Sequence, residues 1–400
     1  MRYGVGHRHA EAGPSLPVLA DGRSQLRPIA VARDRVTRRS GVRALIVGIV
    51  GLTIGGAFAL RILIPSGMDP TNFLTLGDKA PVQTEYARRL LGDVATRPNL
   101  GHDGRFFFPQ ANDPLHLQPE RHAAVLDRPF YRGQRMLFPL IAGGFGLFPP
   151  GVVVWWMLVT NILAMGVGAL VAALLAMRWG ASPWLGIAVP LNIGLIHELQ
   201  IDGAGVVAYA CCVGAVYALV TDKRWAAALL FAAAALARES MLAFAVGVFV
   251  LHWFEHRSFL WRIVFVPLFA MAAWHVYLRL RLAGVSGVGV RLENFAPPFV
   301  GMWQAFRLWA KDPSTLVAGF AILVIMVAFT VLAIRSRLPI AWGALPFVGL
   351  ATVLSVWTWL YPMDFARAIA PVFTAAAFLI AVPKPDQLDG PDDRRTSVRA

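Results

Sequence analysis

Cysteine is nearly missing from this chain. Cys211 and Cys212 stand side by side in an apolar run, a placement that excludes both a loop-closing disulfide and a thiolate metal centre. Lysine is almost as rare, 4 residues against 33 arginines, a ratio we read as coding bias in a GC-rich genome rather than as chemistry. His197-Glu198 lacks the second histidine at the spacing a zinc protease helix requires, so that signature is excluded too. Charge is sparse at 15% of residues, while 57% are hydrophobic and the mean hydropathy is +0.58, too apolar for a soluble globule of 400 residues. The composition is that of a multi-pass membrane protein. A net charge of +14 and a pI near 10.7 raise the question of nucleic acid. The excess lies in the ends and the short loops rather than on one face, so nucleic acid is excluded and anionic lipid headgroups are the expected partner.

Residues 1–42 carry eight arginines among Gly, Pro and Ser without apolar periodicity, and read as a disordered basic cytoplasmic tail. Ala44–Leu60 reads as an uncleaved first span that Arg61 extends by snorkelling. Further apolar runs are Gly151–Met177, Trp184–Ile196, Gly203–Val220, Trp225–Ala237, Met241–Phe254, Ile263–Tyr277, Leu316–Ile334, Ile340–Leu360 and Ala366–Val382. The expected fold is therefore all-α, a polytopic domain over 43–382 with about ten transmembrane helices, followed by a cytoplasmic tail, 383–400. Alternating the runs places Arg178, Lys223 with Arg224, His256 with Arg257, Arg335 with Arg337, and Lys384 on the inner side, in keeping with the positive-inside rule. Both termini are then cytoplasmic in a plasma membrane, and the loops 66–136 and 280–315 are outside. Met136–Phe148 is too short to cross and ends at Pro149-Pro150, so it is expected as an interfacial or re-entrant helix. Within the first outer loop, Thr84–Val94 reads as an amphipathic helix on the membrane surface, Tyr86, Leu90, Leu91 and Val94 opposing Glu85, Arg88 and Arg89.

With this topology Asp103, Asp127, Glu198, Asp202, Arg238, Glu239, Asp364 and Arg367 all fall at the outer face. Ionisable groups in or near the apolar layer are costly, on the order of 2.5–3.5 kcal/mol each at a helix centre, so a one-sided set calls for a reason. Five constellations carry it. Gly101-His102-Asp103-Gly104 can present an acid on a tight turn, although Asp103 can equally cap the helix that follows. Arg132 and Arg135, one turn apart after Asp127, can grip a phosphate or snorkel to headgroups. Glu198 and Asp202 share a face if their helix continues. Arg238-Glu239 breaks an apolar stretch from 225 to 254, as a functional pair at a break or as an ion pair stabilising the turn. Asp364 and Arg367 are three apart and can pair, with Asp364 as a cap the simpler alternative.

Together these segments resemble the GT-C class of membrane glycosyltransferases, particularly actinobacterial polyprenyl-phosphate-sugar-dependent mannosyltransferases. The resemblance covers most of 43–382 and rests on three short signatures: G-Y-D-G-Q-F-Y at Gly101 to Phe107, D-x-P-x-Y-R-x-x-R-x-L-x-P-L at Asp127 to Leu140, and L-x-R-E at Leu236 to Glu239. The chain departs from it at His102, at Arg105 and over Gln110-Ala111-Asn112.

The resemblance implies an inverting transferase moving mannose, or another hexose or pentose, from a polyprenyl-phosphate donor to a hydroxyl of a glycan or glycolipid acceptor outside the membrane. Asp103 is then the catalytic base. Arg132, Arg135, Arg238 and Arg367 hold the donor phosphate and Glu239 joins them in binding the substrate, while Asp127, Glu198, Asp202 and Asp364 are supporting acids. No cofactor is called for with certainty; a divalent metal is left open, with no ligand signature of its own. Two other classes compete. A lipid-linked-sugar transporter or flippase should place polar groups near the midplane and show paired halves. A non-catalytic subunit of envelope assembly needs no acid at all.

Overall fold

The computed structural model describes residues 38–285 and 295–383. The two expected tails fall almost wholly outside these residues, as does part of the 280–315 loop. The described residues are all-α apart from one short two-stranded pairing and an isolated antiparallel bridge between Phe295 and Leu354. Helix α1 (Arg38–Leu63) begins inside the stretch read as tail and runs antiparallel company with a later long helix. A string of short helices follows: α2 (Thr71–Leu74), α3 (Pro81–Leu91), α4 (Gly104–Asn112), α5 (Pro119–Val125), α6 (Pro129–Gly133) and α7 (Leu137–Ala142). Prolines open α3, α5 and α6, where the missing N–H costs nothing and the fixed φ suits the first turn. Between α2 and α4, β1 (Leu76–Gly77) pairs in parallel with β2 (Thr96–Arg97).

At six residues α7 cannot cross a bilayer, which needs about 20, so the segment after Met136 is not a span. The amphipathic helix is present but begins three residues earlier than its expected start and stops at Leu91. Its aromatic face meets protein: Tyr86 lies edge-on to Phe108 of α4 at 6.1 Å. One apolar core joins Phe73, Phe107, Phe108 and Phe138 of this loop to Met157, Leu195, Phe244 and Phe365 of the helices beyond. The loop helices thus cover one end of the bundle rather than forming a separate body.

The bundle comprises α8 (Pro150–Arg178), α9 (Ile193–Gln200), α10 (Gly205–Val220), α11 (Arg224–Ala237), α12 (Met241–His256) and α13 (Arg262–Leu282), then α14 (Val300–Trp309), α15 (Pro313–Arg335), α16 (Pro339–Thr352), α17 (Val356–Trp359), α18 (Pro362–Ala368) and α19 (Ala370–Ala381). Among the described residues four helices are long and apolar enough to cross a membrane: α1, α8, α13 and α15; α18 with α19, bent by 70°, would make a fifth. Helices α10, α11, α12 and α16 are apolar but shorter. Helix α15 exposes Val317, Phe320, Val324, Val327 and Val331, and α13 exposes Phe265, Phe269 and Val276. Such a contiguous apolar exterior is unfavourable in water and favourable in hydrocarbon.

Three of the expected runs are not single helices; Ala366–Val382 is broken by the bend between α18 and α19. Trp184–Ile196 divides into a 3-10 turn, Pro183–Ala188, and α9, because Asn192 caps α9 by accepting from the N–H groups of Gly194 and Leu195. Ile340–Leu360 divides at 353–355, where the backbone N–H groups of Ala296 and Phe299 donate to Val353 and Thr352.

Candidate active site

The Gly101 turn is fixed by close backbone approach. Gly101 has φ +74°, and a Cβ there would lie 2.1 Å from the carbonyl oxygen of Thr75, so only glycine fits. The next N–H, that of His102, donates to the same oxygen at 2.9 Å. This seats His102 and Asp103 at the head of α4, against the end of the bundle.

Asp103 occupies the N-cap position of α4, yet its side chain makes no capping hydrogen bond. Its carboxylate turns to arginines instead. Oδ2 accepts from Nη1 of Arg367 at 2.7 Å, Oδ1 accepts from Nη1 of Arg132 at 3.4 Å, and Nη1 of Arg135 stands 3.9 Å from Oδ2. The capping alternative is therefore set aside. Burial by itself would raise the Asp103 pKa, but Arg367, Arg132 and Arg135 outweigh it and hold the carboxyl well below the usual carboxylate range.

Each arginine has a second carboxylate. Arg132 forks onto Asp127 at 2.9 and 3.1 Å, and its guanidinium lies 3.7 Å from the centroid of the Phe106 ring, so it points into the protein and not to headgroups. Arg135 forks onto Glu239 at 2.8 and 2.9 Å. Arg238 bonds Oε1 of Glu198 at 2.5 Å, and Nε of Arg367 stands 3.5 Å from the same oxygen. Oε2 of Glu198 accepts from the N–H of Gly205 in the first turn of α10. Arg238 and Glu239, neighbours in sequence, thus reach different elements and do not form the turn-stabilising pair. Arg367 is likewise committed to Asp103 and Glu198 rather than to Asp364.

The arginines and carboxylates form one connected network that is nearly self-neutral: Arg132, Arg135, Arg238 and Arg367 against Asp103, Asp127, Glu198 and Glu239. Pairing and shared hydrogen bonds offset the high cost of removing these charges from water. A narrow cleft opens onto it, lined by Asp103, Phe106, Phe107, Gln110, Tyr131, Arg132 and Arg135.

Asp364 lies beside the network with different partners. Its Oδ1 meets Nε2 of His102 at 2.9 Å and Nε2 of His197 at 3.1 Å, and it makes no cap. Asp202 is the supporting acid that does not join. Helix α9 ends at Gln200 and Asp202 takes φ +45°, so Glu198 and Asp202 do not share a helical face. Asp202 is buried next to Asn161 instead.

Reading the sequence brought forward every acid and arginine of the network, but it named His102 only as a departure from a pattern and His197 only to exclude a protease signature, and joined neither to Asp364. Their signal is tertiary: 95 residues separate two histidines that meet one aspartate, and no local spacing announces that. Comparison of the chain with family models, with curated proteins and with solved structures found no match.

Proposed function

We propose that this chain is an inverting, GT-C-type glycosyltransferase that moves a sugar from a polyprenyl phosphate to an acceptor hydroxyl at the outer membrane face. The observation that carries the reading is Asp103: an acid on a glycine turn, taken up by three guanidiniums from two segments remote in sequence, at the end of an apolar bundle. In this reading both termini are cytoplasmic, residues 66–136 are outside, and the 3-10 turn with α9, together with α10, α11, α12 and α16, also cross the bilayer. The ten-run pattern then includes broken and short helices, which a membrane accommodates where neighbouring protein satisfies the backbone.

The donor's phosphate displaces the Asp103 carboxylate from Arg367, Arg132 and Arg135, whose forked donors suit phosphate oxygens. Freed of those partners, Asp103 accepts the proton of the acceptor hydroxyl as the oxygen attacks the anomeric carbon. The bond from that carbon to the phosphate oxygen breaks, its electron pair leaves with the polyprenyl phosphate, and the arginines stabilise the charge. One displacement gives inversion. Glu239 and Glu198 hold Arg135 and Arg238 in place.

The test is transfer of radiolabelled sugar from a polyprenyl-phosphate donor in membranes with matched expression. Asp103→Asn keeps the shape and removes the base, so the rate is expected to fall by roughly 10²–10⁴-fold. Arg132→Ala and Arg367→Ala are expected to weaken donor binding. Full activity in Asp103→Asn would remove Asp103 as the base. Movement of the donor between the two leaflets of one bilayer without transfer would favour a flippase.

A further inference from the structure

We propose that His102, His197 and Asp364 form a three-ligand site for a first-row divalent cation, of zinc type, at the edge of the arginine network. The ligand atoms, Nε2 of each histidine and a carboxylate oxygen of Asp364, all lie within 4.8 Å of one another. Two of the three separations are 2.9 and 3.1 Å. Bonds of about 2.0–2.2 Å in a tetrahedral site put neighbouring ligand atoms roughly 3.3 Å apart, so small side-chain adjustments admit an ion. Two imidazoles and one carboxylate leave the fourth position open, the arrangement of catalytic rather than structural zinc. Imidazole nitrogen selects zinc over magnesium or calcium, which prefer all-oxygen shells.

The three ligands come from rigid, separate places. His102 is held by its N–H bond to Thr75, His197 sits in the last turn of α9, and Asp364 sits in the first turn of α18. Helices α9 and α18 are locked together at Gly194, where a Cβ would meet the carbonyl oxygen of Ala366 at 2.4 Å. Gly194 is one turn from His197, so the contact that lets the helices touch also brings the imidazole to Asp364. The histidine rings stand edge to face, 5.5 Å apart, both turned to the same carboxylate oxygen.

Charge gives the site a purpose. Asp364 places a negative charge one turn from Arg367, beside the residues proposed to receive a phosphate. A divalent ion held there adds two positive charges and offers an open position to a phosphate oxygen as a Lewis acid. His102 is adjacent to Asp103, and Asp364 is one turn from Arg367, so the ion and the arginines would meet one phosphate from two sides. His102 is also a position where the chain departs from the pattern it resembles. The metal site itself rests on geometry; its role toward phosphate rests on the function proposed above.

The experiment uses the full chain purified in detergent, stripped with chelator and dialysed against zinc or cobalt. One equivalent bound per chain is expected, with the visible absorption of four-coordinate cobalt. His197→Ala and Asp364→Asn are each expected to weaken uptake by about 100-fold or more, beyond the 10–100-fold cost of losing a group that only orients a ligand. His252→Ala, which breaks the stacked His252–His256 pair elsewhere, should leave it unchanged. Thermal unfolding of the stripped variants, matching that of stripped wild type, separates a lost ligand from a lost fold. Absence of saturable uptake by wild type, or its survival in His197→Ala with Asp364→Asn, would overturn the site. Stoichiometric binding without any sugar transfer would sustain the metal site and reject the transferase.

Discussion

His116 shows how one buried side chain sets the acid tolerance of the loop that carries the site. It is buried with φ +51°, its ring 4.2 Å from that of His122, and Arg281 of α13 clasps its carbonyl oxygen. Burial, then the nearby His122, pushes the His116 imidazole down to about 3, against the opposing pull of Asp113. An unfolded chain takes up this proton near pH 6.5, whereas the folded one resists it down to about 3. The unfolded state binds more protons throughout that window, so native stability falls as pH drops through it. Asp113 extends the loss at the acid end. Burial alone would raise its carboxyl, but bonds from His122 and from the N–H groups of Gln118 and Leu117 hold it down to about 2, giving stability that is lost from about pH 4 downward. His116→Asn suits the left-handed backbone and cannot titrate. Thermal unfolding measured across pH 3–6.5 should show a shallower slope in this variant than in wild type; an identical slope would acquit His116.

At the scale of elements, what could be read from sequence was the apolar length and what could not was the break. Helices α1, α8, α13 and α15 stand where uniform apolar runs predicted them, since such a run has no competing local partner. The break at Arg238-Glu239 was legible because two charges interrupt the run. The break ahead of α9 was signalled by Pro190 and Asn192, but an apolar run that continues across a cap looks unbroken to hydropathy. The bend between α18 and α19 carries a mark in Pro371, in the first turn of α19, but the apolar run continues across it and hides the break in the same way. Of the site, Asp103 and the arginines were legible as types, while their pairings were not, because each pairing joins elements remote in sequence. Gly194 is the element-scale counterpart: Gly194→Ala must move α9 away from α18, since the obstacle is a backbone oxygen. Overpacking of this kind typically costs about 1–3 kcal/mol. Thermal unfolding should register that loss, and zinc uptake should weaken along with it; wild-type values in both would show that the helix contact does not position His197.

For the whole molecule, orientation is the claim on which the outer location of the site depends. Arg97→Cys, in β2, should react with an impermeant thiol reagent from outside, and Ser336→Cys, after α15, only once the membrane is opened. Background is low because Cys212 is buried and Cys211 half-buried in α10. The reverse labelling pattern would invert the topology. The network also has an order in time. Asp103 emerges from the ribosome about 260 residues before Arg367, its 2.7 Å partner, and Glu198 and His197 likewise wait for α18. Until the C-terminal helices insert, Arg132, Arg135 and Arg238 face the four carboxylates of the network and one negative charge goes unmatched, a costly state at the edge of the apolar layer. A chain truncated before Pro362 would carry that imbalance permanently, a mark by which membrane proteases could tell an unfinished copy from a complete one.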